Sequence, residues 1–246
     1  MSGSICGLIP VYNNHQTIIS AVTSLLTYVE YVIVVNDGSD DGTAELLNIL
    51  ATEDSRIDVI HMPYNQGKGA AVQRGLHYAN EQGFSYAIQV DADGQHNLDD
   101  VPRFIEVAKH ESSALVVGAP LFDENISFGR KHGRKLTDLM MALEMGTLKM
   151  PDGNCGFRAY PVRAICAMGK MGNHMDFDPE VLVRAYWAGI SIVRVPTKVR
   201  YLSEEEGGIS HFRMVQDNIL HVWMHIRLLP QAPFRLLLRW LKKLTK

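Results

Sequence analysis

Asp91 and Asp93 stand two residues apart in "YAIQVDADGQHNLDD", directly after an apolar, β-branched run that reads as a core strand. Side chains at i and i+2 of a strand share a face, so two carboxylates come side by side, with Gln95 next in the row while the chain stays extended. Two carboxylates and an amide oxygen suit a hard divalent cation, Mg2+ or Mn2+. D-G is also an ordinary turn dipeptide, and the triplet alone does not separate a cation row from a capped turn. "VVNDGSDDGT" closes another strand-like run on an acid: Gly38 permits a tight turn, and Asp41 or Thr43 is placed to cap the next helix. At such a rim Asp37 is positioned to accept hydrogen bonds from a base or ribose. "NQGKGAAVQRGL" has neither the GxxxxGK[ST] order nor GxGxxG. It reads as a rim loop in which Lys68 and the amides of Gly67 and Gly69 approach an anion at a helix N-terminus, or as a plain loop with an exposed lysine.

The elements that must position these residues follow from periodicity. "ICGLIPVY", "YVIVVND", "IDVIHM", "YAIQVD" and "ALVVGAP" are short, Val- and Ile-rich runs that predict strands. Between them "TIISAVTSLLTYV", "GTAELLNILA", "GAAVQRGLHYANEQG" and "LDDVPRFIEVAKH" predict helices. The alternation implies an α/β fold with a mostly parallel central sheet, helices on both faces and ligands at the carboxyl ends of the strands. In the second half a helix is expected over about 129–149, and a turn with a short strand in "DGNCGFRAYP". Asp178-Pro179 is expected to open a helix, with Asp as the cap and Pro in the first turn. "SIVRVPTKVRY" predicts a strand, "LSEEEGGISHF" a loop and "RMVQDNILHVWMHIRLL" a helix. His221 and His225 are one turn apart but lack the glutamate of HExxH and a third ligand, so they predict an ordinary helix face.

The 246 residues suit one α/β domain with a modest extension, and no linker divides them. With 24 basic and 27 acidic side chains the net charge is −3, which argues against a nucleic-acid partner. Cys6, Cys155 and Cys166 are too few and too scattered for a disulfide framework and point to a reducing, cytoplasmic setting. The start of the chain does not read as a signal peptide, and no apolar run approaches the roughly 20 residues that span a bilayer. After Asp217 there is no acid. In the tail Phe234, Leu237, Leu241 and Leu244 fall on one helical face and Arg235, Arg239, Lys242 and Lys246 on another, with Trp240 nearby. That pattern predicts a C-terminal amphipathic helix lying on an anionic membrane surface, or else a terminal helix packed on the domain.

Taken in order, "IPVYNN", "VVNDGSDDGT", "NQGKGAAVQRGL", "VDADGQH", "DGNCGFRAY" and "FDPEVLVRAYWAG" resemble family 2 glycosyltransferases of the GT-A fold. The resemblance runs from about Ile5 to Tyr201, and the branch looks like that of the dolichol-phosphate mannosyltransferases. It implies a nucleotide-sugar donor, UDP- or GDP-linked. Pro10, Tyr12 and Asp37 match positions that hold base and ribose, and Lys68 lies in the donor-binding rim. Asp91, Asp93 and Gln95 match the metal row under the donor diphosphate, and His211 competes with Gln95 as third ligand. Arg130 and Arg134, one helical turn apart, fall where relatives place phosphate-binding cations. Asp178 aligns with an acid that serves as general base, with Glu180 and Asp176 as alternatives and Phe177 replacing the preceding acid. A lipid-phosphate acceptor is already anionic and needs no base, in which case Asp178 orients it. The chain departs from the branch at "GAPLFDE", where Pro120 stands in place of a G-S-R arginine.

These readings divide the chain into a GT-A domain over 1–229 and a basic amphipathic tail over 230–246. The expected function is a metal-dependent inverting transfer from a nucleotide-sugar to a lipid-linked or lipid-phosphate acceptor, peripheral on the cytoplasmic membrane face. Two alternatives stand beside it. A sugar-1-phosphate nucleotidylyltransferase needs a glycine-rich loop where this chain has "IPVYNN". A non-catalytic module would bind nucleotide-sugar or lipid without transfer.

Overall fold

The computed structural model describes residues 4–111, 113–121, 128–148, 152–198 and 213–244. Its strands are β1 (Ile5–Val11), β2 (Val32–Asn36), β3 (Ile57–His61), β4 (Tyr86–Gln89), β5 (Leu115–Leu121), β6 (Arg158–Pro161) and β7 (Ile192–Lys198). They form one sheet in the order β3-β2-β1-β4-β6-β5-β7. All neighbours run parallel except β6, which is antiparallel to both β4 and β5. The strands in the middle of the sheet are buried on both faces, which is why they read as unbroken apolar runs rather than alternating ones.

The helices are α1 (Ile18–Leu25), α2 (Thr43–Glu53), α3 (Lys68–Glu81), α4 (Val101–His110), α5 (Phe128–Met145), α6 (Val162–Cys166), α7 (Phe177–Ala188), α8 (Met214–Leu228) and α9 (Ala232–Leu244). Two apolar cores, one on each face of the sheet, result. One packs Leu8, Ile33, Val35 and Val72 with Phe177 and Leu182, and the other packs Ile9, Val34 and Ile88 with Phe104 and Phe157. Each expected strand and helix is present among the described residues; the loop expected in "LSEEEGGISHF" lies outside them. The exception in detail is the start of α7: the helix begins at Phe177, so Asp178 sits inside the first turn and does not cap it.

The contact that matters most for the rim is between α3 and the segment before α7. The Gln73 amide donates to the carbonyls of Gly69 and Gly172 at 3.1 and 2.9 Å, and its oxygen accepts from the Met171 amide at 2.8 Å. Ala70 N donates to Asn173 O at 2.8 Å. One side chain thereby ties the loop carrying Lys68 to the segment leading to Asp178. Gln73→Leu strands these groups and is expected to lower unfolding free energy by about 1–3 kcal/mol, read from urea denaturation; an unchanged midpoint would show that the clasp is dispensable.

Candidate functional site

β2, β1 and β4 lie side by side, with Val11 opposite Asn36 and Leu8 opposite Gln89, so their carboxyl ends open onto one rim. Pro10 sits within β1 opposite Val35, Tyr12 follows half-buried, and Asp37 directly follows β2. Both Asp37 oxygens are committed, accepting from the amides of Gln66 at 2.7 Å and Gly67 at 2.8 Å. Burial pushes the Asp37 pKa up against the pull of those two bonds. The anion at the start of α3 is thus the chain's own carboxylate, which occupies an amide expected to meet a ligand.

The acids after β4 are brought together by a turn, not by a pleat. The strand ends at Gln89 and the chain reverses through Gly94, whose φ of 71° only glycine adopts at little cost. Gln95 therefore does not extend the row as expected; its amide instead donates to Asp93 Oδ1 at 3.0 Å. Burial, together with the neighbouring Asp91 charge, pushes Asp93 above its ordinary value.

Asp91 is enclosed. Lys68 Nζ lies 2.8 Å from its Oδ1 and 3.0 Å from its Oδ2, His96 Nε2 is 3.3 Å from Oδ2, and Gln89 Nε2 is 3.3 Å from Oδ1. Gln89 is held in turn by the Tyr160 hydroxyl at 3.0 Å. Burial opposes the charge on Asp91, but Lys68 and His96 outweigh it and hold the carboxyl well below its usual range. Burial likewise opposes the Lys68 charge, yet Asp178 and Asp91 hold the ammonium above its ordinary value. The rim lysine, read from the sequence as a phosphate ligand or else as an exposed loop lysine, forms an internal ion pair, with a side chain 17% exposed.

The same ammonium is 3.5 Å from Asp178 Oδ2, and Arg158 Nη1 is 3.5 Å from Asp178 Oδ1. Asp178 is only 4% exposed. Arg158 is wholly buried and donates to the carbonyls of Cys155, Asp178 and Gly153 at 2.7, 2.8 and 3.0 Å. Asp178 Oδ1 has no hydrogen-bond donor, and neither has His96 Nδ1 a partner, although both are buried. Gly156 completes the enclosure: a Cβ there would lie 2.4 Å from Asp91 Oδ2 and 2.7 Å from Lys68 Nζ. Sequence reading missed Arg158, Gln89, Tyr160, His96 and Gly156 as site residues. The available signal was "CGFRAY", where an arginine alternates with strand residues that face a core.

Glu180 does not reach this cluster. It accepts from the Gly172 amide at 3.0 Å, Arg184 at 3.0 Å and Arg227 at 3.1 Å, and so ties α7 to α8. Asp176 accepts from the His174 amide at 3.0 Å. Arg130 and Arg134 belong to α5, but their side chains and all of His211 lie outside the described residues. Among the described residues no three His, Cys, Asp or Glu side chains converge as a ready metal site. Asp91 and Asp93 nonetheless present hard oxygen donors and like charges that a divalent cation relieves, so the donor chemistry fits Mg2+ or Mn2+.

Behind the rim, α8 is packed inside out. Its inward face carries Asp217, His221 and His225 beside Met224 and Leu228, while Val215, Ile219, Val222, Trp223 and Ile226 are 52–72% exposed. The polar face is buried because His225 Nδ1 meets Glu144 of α5 at 2.9 Å, so these histidines are more than an ordinary helix face. On α9 the apolar residues Phe234, Leu237, Trp240 and Leu241 also face outward, whereas Arg239 turns in over the Tyr186 ring, 3.8 Å from its centroid. The tail packs against α5 and α7, and it exposes its apolar side. Among the described residues no helix is long and apolar enough to cross a membrane.

The family model described as glycosyl transferase family 2 matches residues 7–166. A dolichyl-phosphate beta-glucosyltransferase of Trichomonas vaginalis is 28% identical over 243 residues, covering 90% of this chain and 73% of that protein. An undecaprenyl-phosphate mannosyltransferase of Micrococcus luteus is 28% identical over 208 residues, covering 81% and 84%. Among solved structures, glucosyl-3-phosphoglycerate synthase from Mycobacterium tuberculosis, in complex with Mn2+, UDP and phosphoglyceric acid, aligns with a TM-score of 0.67 at 20% identity. That alignment covers 91% of this chain and 78% of the synthase. The structural likeness establishes the GT-A fold.

Arg158→Met removes the donor to three buried carbonyls and the neighbour of Asp178. Stranding those carbonyls and leaving Asp178 only the ammonium it shares with Asp91 is expected to cost about 3–5 kcal/mol of unfolding free energy, measured by urea denaturation. A loss under about 1 kcal/mol would mean the carbonyls and Asp178 find other partners.

Proposed function

The chain belongs to glycosyl transferase family 2, and on that premise we propose that it moves a sugar from a nucleoside-diphosphate donor onto a lipid phosphate, with inversion, at the cytoplasmic face of a membrane. The observation that carries this reading is the acid pair Asp91 and Asp93 at the shared rim of β2, β1 and β4, where an α/β sheet receives its ligands. Pro10 and Tyr12 line the donor side. Asp37 shapes it through the Gln66-Gly67 turn. Asp91 and Asp93, with Gln95 or His211, would hold Mg2+ or Mn2+, which when bound neutralises charge on the departing nucleoside diphosphate. Arg130 and Arg134 are assigned to phosphate contacts from their place on α5.

In the transfer an acceptor phosphate oxygen forms a bond to the anomeric carbon while the bond from that carbon to the diphosphate oxygen breaks, its electron pair leaving with the nucleoside diphosphate. The nucleophile is an anion already, so no side chain has to take a proton. Asp178 suits that chemistry, being committed to Lys68 and Arg158 rather than open to an acceptor hydroxyl. Similarity to proteins named for dolichyl and undecaprenyl phosphate supports a polyprenyl-phosphate acceptor. The outward apolar faces of α8 and α9 support a seat on the membrane that carries it, with Trp223 and Trp240 at interfacial depth. Three unpaired cysteines, two with pKa pushed up to about 12 by burial, accord with a reducing compartment.

Turnover is measured with UDP- and GDP-linked sugars and dolichyl or undecaprenyl phosphate. Asp93→Asn, and EDTA on the wild type, are expected to lower it by about 10²–10³-fold with the fold intact. Wild-type turnover in that variant would defeat the metal role. Asp178→Asn is expected to cost much less than the roughly 10²–10⁴-fold of a lost general base; a loss of that size would restore the base assignment and favour a hydroxyl acceptor. For the membrane seat, sedimentation with phosphatidylglycerol vesicles is compared for wild type and Ile219→Glu/Trp223→Glu. At least about tenfold weaker binding is expected, and equal binding would remove α8 from the interface.

A further inference from the structure

Lys68 touches two carboxylates of different assignment: Asp91, after β4, and Asp178, in the first turn of α7. Its ammonium makes a two-oxygen contact with Asp91, the densest charge contact in the cluster. Among the described residues the other full cation of the cluster, Arg158, spends its donors on carbonyls and is sealed in. Gly156 leaves no room for a side chain beside either group, so the Lys68–Asp91 pair is built into the backbone around it.

We propose that Lys68 is a tethered counter-cation which occupies the carboxylates of the ligand-free rim and makes divalent cation and nucleoside diphosphate bind cooperatively. The inference rests on the functional reading above and deepens it. A bare divalent ion approaching Asp91 and Asp93 meets the ammonium's charge at short range, in a setting that water screens poorly. Its affinity for the empty rim is therefore low. A diphosphate arriving with the ion adds negative oxygens that coordinate the ion and attract the ammonium, so each partner strengthens the other. Coupling of this kind is reciprocal: whatever factor the nucleotide adds to cation affinity, the cation adds to nucleotide affinity. Lys68 thus acts as a positioning residue through Asp91 and Asp178.

The test is calorimetric titration of Mn2+ into the chain with and without UDP or GDP, for wild type and Lys68→Met, with far-UV circular dichroism as the fold control. The wild type is expected to bind Mn2+ at least about fivefold tighter when nucleotide is present. Lys68→Met is expected to bind Mn2+ alone about tenfold tighter than wild type, with the coupling factor falling toward one. Equal or weaker binding in the folded variant overturns the proposal. Where Lys68→Met does not fold because Asp91 and Asp178 lose the ammonium they share, Asp178→Asn is compared with Lys68→Met/Asp178→Asn, in which one of those two charges is already removed; the double variant must bind Mn2+ more tightly than the single. Nucleotide and cation binding that is insensitive to Lys68 sinks this proposal alone. Absence of both sinks it together with the transferase reading.

Discussion

Three acids and two bases meet at a partly buried rim, and the shape of the site depends on how their charges are matched. Asp91 and Asp178 are set against Lys68 and Arg158, while Asp93 is left with the weakest compensation. Burying any one of these groups singly would be prohibitive, so the cluster stands or falls as a unit. The five charges come from four elements: Asp91 and Asp93 from the turn after β4, Lys68 from the first turn of α3, Arg158 from strand β6 and Asp178 from the first turn of α7. The sheet, the loop before α3 and the segment before α7 have to arrive together for the charges to cancel. That requirement explains the number of backbone clasps around the cluster, from Gln73 on the 171–172 amide and carbonyl to Arg158 on the 153–155 turn.

The remaining negative charge has a direction. Asp91 carries the contacts to Lys68 and His96, whereas Asp93 accepts from the Gln95 amide. Family membership and the GT-A fold give that asymmetry its setting, the carboxyl end of a mostly parallel sheet, where α/β folds receive their ligands.

Much of the scaffold was legible because buried parallel strands write themselves as continuous Val and Ile runs, and the ordered motifs carried the family. Three things were not legible. The reversal of β6 between β4 and β5 leaves no mark on periodicity, because a four-residue buried strand reads the same in either direction. Lys68, between two glycines in a rim loop, has the local look of an exposed phosphate ligand; only the bare backbone of Gly156, far along the chain, makes room for it inside. The face of α8 that turns inward was also hidden. A helix with histidines and an aspartate on one side and Val, Ile and Trp on the other is ordinarily placed the other way round, and the acid that reverses it, Glu144, sits on another helix.

The reversed strand also sets an order of assembly. β4 emerges from synthesis with β1 already available to pair, but the hydroxyl that holds Gln89 belongs to Tyr160, 71 residues later. Arg158 and Asp178 likewise lie far along the chain from Lys68 and Asp91. Contacts of such sequence separation form slowly, because the loop between them has to close before they repay it. Lys68, which precedes Asp91, is the one charge able to meet that carboxylate while the rest of the chain is still being made. The charges of the rim are accordingly matched in full only once β6 and α7 have been made.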